Sequence, residues 1–367
     1  MKIPLIKPYI TEEIKQKVLD VLDSGYLTEG PVTKEFESAF SEYVGSDHAI
    51  AVTSCTTGLE LALRALGVGP GDEVIVPDYT YPATASVVTI VGAHCRIVDI
   101  DPDTMLIDYE KLDRAMTKKT KAIIPVSLFG NPLDYDKLNK IKAKHGIFIV
   151  EDAACSIGAE YKNEKVGNQA DISVFSLHPR KFITTGEGGM VTTNNSIWAE
   201  WMNSYKHFGM DMQNSAREEI SFTMPGTNYK LTNIQAAIGL GQLDKADMLL
   251  LDRRIHASQY DDMFIGLEDV SIPITTPGGT HSYQSYCVFT SSRDRIMKAL
   301  RQQGIEAQIG TYSLHSHVAF QNNNLFTVDG DMSGSKQAYR NCLTLPLYYQ
   351  LGKDTQYYIY NKIKELL

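Results

Sequence analysis

The chain has 367 residues, of which 43% are hydrophobic and 22% are charged, and its formal net charge at pH 7 is −9. This composition excludes collagen-like, disordered and disulfide-scaffold chains, and no apolar run approaches the ~18 residues of a membrane-spanning helix. The acidic balance argues against nucleic acid as the main partner. Five scattered cysteines and the lack of a signal-like N-terminal stretch predict a cytoplasmic protein with reduced thiols and no metal site.

Strand and helix signals alternate through the first two-thirds of the chain. The first predicted helix is capped by Thr11 and ends at Gly25. Its expected apolar face comprises Ile14, Val18, Leu19 and Leu22. Strands are predicted at 49–54, 73–77, 95–100, 121–127, 147–152 and 172–176, with helices at 57–67, 83–93, 109–116 and 134–145. This alternation predicts an α/β fold with a mostly parallel sheet covered by helices on both faces.

The pattern changes after about residue 233. Helical periodicity runs to 264, a length unusual for one globular helix, and predicts a segment that connects two domains. A strand at 282–292, a helix at 293–304 and a closing helix near the C-terminus follow. We therefore expect a large domain at 1–249 and a smaller α+β domain at 250–367.

The most informative stretch is 147–194. A predicted strand ends in Asp152, and Lys181 follows 29 positions later in a loop that contains Gly-Glu-Gly-Gly. Ligand sites in open α/β sheets form at the carboxyl ends of strands. A lysine amine can form a Schiff base with an aldehyde, and a carboxylate can keep a pyridine nitrogen protonated. Each residue alone is more typical of a cap or a solvated surface, but together they predict a pyridoxal phosphate (PLP) site.

A cofactor phosphate needs donors, and residues 54–58 (Ser-Cys-Thr-Thr-Gly) lie where a helix begins after a strand. Backbone N–H groups there, with the Thr56 hydroxyl, can bind a dianion. The alternative is a capping box of Thr57 and Glu60 without a ligand. Ser176 is a second candidate donor, and Tyr81 can stack on the pyridine ring or pack in the core.

Several long stretches resemble one known family. They are 24–37, 52–63, 71–85, 149–159, 175–190 and 226–243. The chain resembles the sugar-nucleotide aminotransferases of the DegT/DnrJ type, within the aspartate-aminotransferase-like (fold type I) PLP enzymes. The resemblance covers nearly the whole chain. It implies a large domain with a sheet of the seven-stranded type and a smaller C-terminal domain.

The resemblance also implies roles for individual residues. Lys181 is the lysine that binds PLP, and Asp152 pairs with the pyridine nitrogen. Tyr81 takes the ring-stacking position, and three groups face the phosphate: Thr56, Ser176 and the backbone amide of Cys55. Asn228 matches an asparagine that reaches the phosphate from the partner subunit, which implies a homodimer with a shared active site.

Two positions depart from the family pattern. Cys55 lies where glycine is usual, and Cys155 lies where glutamine commonly contacts the hydroxyl of the cofactor ring. A related branch of the family has histidine in place of the anchoring lysine and acts as a dehydratase. Lys181 argues against that branch here.

The resemblance implies a transaminase that moves an amino group, with L-glutamate as donor, to a nucleotide-linked keto sugar such as a 4-keto-6-deoxyhexose. A PLP-dependent sugar dehydratase and an aminotransferase for a small phosphorylated ketone stay open as alternatives. The nucleotide stays open too. A role in surface-glycan or antibiotic-sugar biosynthesis is what the resemblance suggests. Candidate substrate contacts are Tyr26, Leu27, Thr28, Tyr312, His315 and His317, and ordinary surface or packing roles are as fitting for the histidines.

Overall fold

The computed structural model describes residues 2–211 and 220–367. The helices are α1 (Glu12–Ser24), α2 (Pro31–Val44), α3 (Cys55–Ala65), α4 (Ala83–Ile90), α5 (Tyr109–Ala115), α6 (Tyr135–His145), α7 (Ser196–Tyr205), α8 (Asn233–Leu243), α9 (Ala246–Phe264), α10 (Arg293–Gln302), α11 (Ser333–Asn341) and α12 (Lys353–Lys364). The strands are β1 (His48–Val52), β2 (Glu73–Pro77), β3 (Tyr79–Thr80), β4 (His94–Val98), β5 (Thr120–Ile123), β6 (Phe148–Asp152), β7 (Glu160–Tyr161), β8 (Glu164–Lys165), β9 (Ile172–Ser176), β10 (Gly189–Thr193), β11 (Gly279–Thr280), β12 (Tyr286–Phe289), β13 (Gln308–Ile309), β14 (Tyr312–Ser313), β15 (Phe326–Asp329) and β16 (Cys342–Leu345).

One large sheet organises the fold, with strand order β1-β10-β9-β6-β5-β2-β4-β15. β10 runs antiparallel to both of its neighbours, and every other adjacent pair is parallel. Seven of these strands come from the first 200 residues, and β15 adds an eighth at the edge. The predicted mostly parallel sheet is thereby confirmed.

Helices cover both faces of this sheet, as the alternation of strand side chains requires. Val74 and Val76 of β2 pack into the core under α3, α4 and α7, whereas Ile75 between them packs into the core under α5 and α6. A third core lies between α2, α8 and the β1–β10 end of the sheet. Strands buried on both faces read as continuous apolar runs, which is why they could be predicted.

The C-terminal part of the chain has its own small sheet of order β12-β16-β13, packed on α9, α10 and α12. The same part also pairs with strands of the N-terminal part: β15 joins the large sheet in parallel with β4, and β14 forms a separate two-stranded sheet with β3. α9 spans position 250. The domain boundary between 249 and 250 therefore stays a prediction, and the contacts of β14 and β15 cross it.

Two details differ from the sequence predictions. The periodic stretch from 233 to 264 is two helices, α8 and α9, separated at residues 244–245. Thr11 caps α1 and Gly25 ends it as predicted, but Leu19 and Leu22 are 49% and 47% exposed. The buried residues of α1 are Ile14 and Val21, and Ile14 lies on the side of the helix that meets Gly241 of α8. Within residues 2–211 and 220–367, no helix has both the length and the apolar character that crossing a membrane demands.

Candidate active site

A cavity of about 390 Å³ lies beyond the carboxyl ends of β6 and β9, where the parallel strands of the sheet present their ligand-binding edge. It brings together residues that are far apart in the sequence. Of the predicted site residues, it is lined by Cys55, Thr56, Tyr81, Asp152, Cys155, Ser176, Lys181 and Tyr312. The lysine and the aspartate of the predicted pair therefore share one enclosed space.

Asp152 is the last residue of β6, and its side chain is 5% exposed. Its Oδ2 accepts a hydrogen bond from the Thr84 hydroxyl at 2.7 Å, and its Oδ1 accepts one from the Ala154 N–H at 3.2 Å. Burial raises the pKa of the Asp152 carboxyl above its ordinary value, although these hydrogen bonds oppose the rise. A cationic partner in the cavity would compensate for the cost of keeping this carboxylate ionised.

Glu151, the preceding residue, points to the opposite face of the sheet, as the pleat requires. It is fully buried and accepts hydrogen bonds from Tyr135 Oη at 2.8 Å, from Ser173 Oγ at 2.9 Å and from the Ser127 hydroxyl. Burial raises the pKa of Glu151. These three hydroxyls fix the end of β6, and they leave Asp152 as the carboxyl that faces the cavity.

Lys181 lies in the loop between β9 and β10, and its backbone N–H donates to the His178 carbonyl at 2.8 Å. Gln284 holds this loop from the C-terminal part of the chain. Its Oε1 accepts from the Phe182 N–H at 2.6 Å, and its Nε2 donates to the Arg180 carbonyl at 2.7 Å. The backbone on both sides of Lys181 is thereby fixed.

The Nζ atom of Lys181 donates a hydrogen bond to Cys155 Sγ at 3.1 Å. Burial lowers the pKa of Lys181, whereas Cys155, Cys55 and Asp152 raise it, and the net direction is upward. Without a cofactor the amine is therefore protonated at neutral pH.

The predicted anion site falls on the first turn of α3, and anion binding there stays a prediction. Ser54 is the N-cap, and its side chain and that of Thr57 form a reciprocal capping box. The expected box of Thr57 with Glu60 is therefore wrong, because the helix begins two residues earlier and Glu60 instead accepts from Arg64 Nε at 2.8 Å. The N–H groups of Cys55 and Thr56 have no acceptor within the helix, and both residues line the cavity.

The backbone of β10 closes this anion site from behind. A Cβ atom at Gly189 would lie 2.6 Å from the carbonyl carbon of Ser54 and 2.7 Å from the nitrogen of Cys55. Only glycine permits this approach. Ser176, at the end of β9, is 7% exposed and also lines the cavity.

Two tyrosines border the mouth of the cavity. Tyr81 is 60% exposed, and Tyr312 of β14 lies beside it with the ring centroids 6.1 Å apart and the planes inclined by 57°. The pairing of β14 with β3 positions Tyr312 opposite Thr80. The mouth is therefore formed by one residue from each part of the chain.

The other predicted residues do not line this cavity. Tyr26, Thr28 and Asn228 are exposed. His315 contacts the buried Asp78, with its Nδ1 2.7 Å from Asp78 Oδ2. His317 packs edge-on against the Tyr312 ring at 5.8 Å, and the exposed Leu27 lies next to Tyr26 in the sequence.

Sequence reasoning did not identify Thr84 or Gln284. Thr84 lies 68 positions before Asp152, and Gln284 lies 102 positions after Phe182. The run of small residues after Tyr81 was the only local signal for Thr84, and Gln284 had none.

The residues present fit PLP. The lysine amine, the buried carboxylate and the helix N-terminus meet the needs of its aldehyde, its ring nitrogen and its phosphate, respectively. Fold and site together define a PLP-dependent aminotransferase.

The sequence model of the DegT/DnrJ/EryC1/StrS aminotransferase family matches residues 8–364, and the chain belongs to that family. It is 39% identical to the GDP-perosamine synthase of Caulobacter vibrioides over 321 residues, which cover 86% of this chain and 85% of that protein.

Two solved structures extend the comparison. A protein of Streptococcus pneumoniae provisionally named a sugar aminotransferase, solved in PMP and PLP forms, is 34% identical; in the PMP form the TM-score is 0.93, with 100% of this chain and 98% of that chain covered. The GDP-4-keto-6-deoxy-D-mannose-3-dehydratase of E. coli, solved with bound hydrated PLP, is 26% identical. Its TM-score is 0.93, with 99% of both chains covered.

Proposed function

We propose that this protein transfers an amino group from L-glutamate to a nucleotide-linked keto sugar, with a 4-keto-6-deoxyhexose as the favoured acceptor. The observation that carries the proposal is the presence of Lys181 and Asp152 in one cavity whose mouth is bordered by exposed aromatic rings. The similarity to a GDP-perosamine synthase supports a sugar nucleotide as the acceptor.

When bound, PLP supplies an aldehyde that takes up the amino group and a ring that accepts electrons. Lys181 anchors this group and, once its amine is released, is placed to move a proton to and from the substrate carbon. Asp152 would hold a proton on the ring nitrogen. The first turn of α3, with Thr56 and Ser176, would orient the phosphate. Cys155, whose Sγ lies 3.1 Å from Lys181 Nζ, occupies the position at which the resemblance implies a contact with the ring hydroxyl.

The mouth of the cavity supports an acceptor larger than a simple keto acid. Tyr81 and Tyr312 offer exposed aromatic surface on which a sugar ring can pack, and His178 and Arg180 line the same cavity. Burial lowers the pKa of His178, so this side chain is neutral at pH 7. Arg180 is exposed and leaves a permanent positive charge near the entrance.

We further propose a homodimer in which Asn228 of each chain completes the phosphate site of the other. Asn228 is exposed and lies outside the cavity of its own chain. Exposed large apolar side chains in the first 27 residues support association, because burial against a partner would remove them from water. They are Ile10, Leu19, Leu22, Tyr26 and Leu27, each between 43% and 53% exposed. In such a dimer, Tyr26 and Thr28 can border the partner's substrate cleft. Five free cysteines support a reducing compartment such as the cytoplasm.

A dehydratase is the alternative, since the E. coli dehydratase shares the fold. Lys181 favours transamination, because a free amine can both hold the cofactor and carry the proton. A transaminase should convert its bound cofactor to the pyridoxamine form with L-glutamate alone.

The test is spectroscopic. L-Glutamate should bleach the absorbance of the lysine-bound cofactor, and a keto sugar from a panel of UDP, GDP and dTDP derivatives should restore it. Lys181→Ala should lose both changes, while the exposed Lys162→Ala should keep them. Loss of a sugar hydroxyl without bleaching by the donor would establish the dehydratase instead.

A further inference from the structure

Two cysteines stand beside the reactive groups of the cavity, at positions where the resemblance leads one to expect other residues. Cys155 Sγ lies 3.1 Å from Lys181 Nζ, and Cys55 Sγ lies 4.0 Å from Asp152 Oδ1. The transamination chemistry proposed above requires neither thiol to react. Both residues line the cavity, so a small solute that enters it can reach them.

The two thiols have different surroundings. Burial raises the pKa of Cys55 well above its ordinary value, and the nearby Asp152 carboxylate raises it further. Cys55 therefore stays a neutral, weakly nucleophilic thiol. Cys155 instead has its Sγ 3.1 Å from Lys181 Nζ, and this sulfur is the atom that peroxide would oxidise.

We propose that Cys155 and Lys181 form a peroxide-sensitive pair that closes to an S–N cross-link whenever the lysine amine is free of cofactor. Hydrogen peroxide is the oxidant. Its O–O bond breaks as the sulfur of Cys155 takes one oxygen to give a sulfenic acid, and water leaves. The lone pair of Lys181 Nζ then attacks the sulfur, the S–N bond forms, the S–O bond breaks, and a second water leaves with the amine proton.

The second step requires a neutral Lys181 amine as the nucleophile. Burial is the largest influence on the pKa of Lys181 and lowers it, which favours that neutral form. The 3.1 Å separation of Lys181 Nζ and Cys155 Sγ places the amine next to the sulfur that it attacks.

The cofactor protects the pair. PLP occupies the amine of Lys181 in the resting enzyme, so the cross-link can form only while that amine is free. The cross-linked chain cannot bind PLP covalently until a thiol reductant attacks the sulfur, takes up the two oxidising equivalents as a disulfide, and releases the amine and the Cys155 thiol.

The experiment compares the full chain loaded with PLP and the same chain freed of PLP, each treated with hydrogen peroxide and then digested for mass spectrometry. Untreated cofactor-free protein must recover its absorbance on reloading, which shows that it is folded. We expect a peptide pair joining Cys155 to Lys181, lighter by two hydrogen atoms, in the cofactor-free sample only. Loss of PLP reloading should accompany it, and dithiothreitol should reverse both.

Matched variants separate this cross-link from other oxidation. Cys55→Ser should still form it, and Cys155→Ser should not. The buried Cys95, Cys287 and Cys342 should stay unmodified in every sample. A disulfide between Cys55 and Cys155, a sulfinic acid at Cys155 with a free Lys181, or equal cross-linking of the PLP-loaded chain would each overturn the proposal. These readouts do not involve the sugar substrate, so they stand apart from a failure of the proposed function.

Discussion

Replacement of Thr84 by valine tests how the carboxylate of the site is held. The Thr84 hydroxyl donates to Asp152 Oδ2 at 2.7 Å and lies 2.9 Å from the Thr80 hydroxyl. A hydroxyl has one hydrogen, and an ionised carboxylate can only accept. Thr80 must therefore donate to Thr84, and Thr84 to Asp152, so the three groups form a one-directional relay.

The size of the effect follows from that relay. A buried hydrogen bond to a charged group contributes about 1.5–3 kcal/mol, and one pKa unit corresponds to about 1.4 kcal/mol. Thr84→Val should therefore raise the pKa of Asp152, which burial has already raised, by about 1–2 units. The protonated cofactor ring loses the same stabilisation, and kcat should fall about 10- to 100-fold.

The assay is a pH titration of the absorbance of bound PLP, together with kcat at saturating substrates. Thr84→Ser keeps the hydroxyl and should stay close to the wild type. Thr80→Val removes only the outer member of the relay and should have an intermediate effect. Unchanged titration and turnover in Thr84→Val, or an equal loss in Thr84→Ser, would refute the reasoning.

Three further predictions concern the anion site, an ion-paired carboxylate and the dimer. In Gly189→Ala, the added Cβ atom would clash with the backbone of residues 54–55, so the affinity for PLP, measured by fluorescence titration, should fall by about tenfold or more. Gly69→Ala is the control: its added Cβ atom would have its nearest neighbour at 3.8 Å, and this variant should bind PLP normally. Asp99→Asn should lower the free energy of unfolding by about 2–3 kcal/mol at pH 7. Burial raises the pKa of this carboxyl, but a lysine and three backbone N–H groups outweigh it and lower the pKa. The ionised Asp99 carboxylate therefore contributes its full stabilisation above its pKa in the unfolded chain, which is about 4, and loses it as the pH falls through its lower pKa in the folded chain. The difference in free energy of unfolding between Asp99→Asn and the wild type, measured by urea titration, should accordingly become smaller on acidification. Lys181→Ala and Asn228→Ala chains that are expressed together should regain about a quarter of wild-type turnover. Half of the randomly paired dimers contain one chain of each kind, and each such dimer has one intact site out of two. Activity no higher than that of the separate variants would place Asn228 in the site of its own chain.

The parallel sheet could be predicted from the sequence because each central strand is buried on both faces and so appears as a short apolar run. β2 and β9 have the predicted bounds for this reason. The apolar face of α1 was less accessible to prediction. Leu19 and Leu22 are as hydrophobic as Ile14, and nothing local distinguishes a residue that meets α8 from one that the single chain leaves exposed.

The proposed cofactor site could be assembled in outline because each of its parts is a short local stretch with its own pattern: a strand that ends in Asp152, a loop with Lys181 and a helix start at residues 54–57. The residues that hold these parts in place come from distant positions in the sequence. Thr84 reaches Asp152 across 68 positions, and Gln284 reaches the Lys181 loop from beyond 100 positions. Such contacts depend on how elements pack, and a hydroxyl or an amide has no sequence signature of its own.

The contacts of His315 could not be predicted from the sequence either. As a histidine in the stretch that follows Tyr312, it is a reasonable candidate for substrate contact, and that role stays a prediction. Its N–H and its Nδ1 both lie 2.7 Å from the carboxylate of Asp78, which is fully buried and also accepts from the Ser313 hydroxyl at 2.8 Å. The pair fixes the residue next to Tyr312 against the end of β2. We therefore predict that His315 acts on the cavity through the placement of Tyr312, since a histidine held in this way can shape a substrate cleft without lining the cavity.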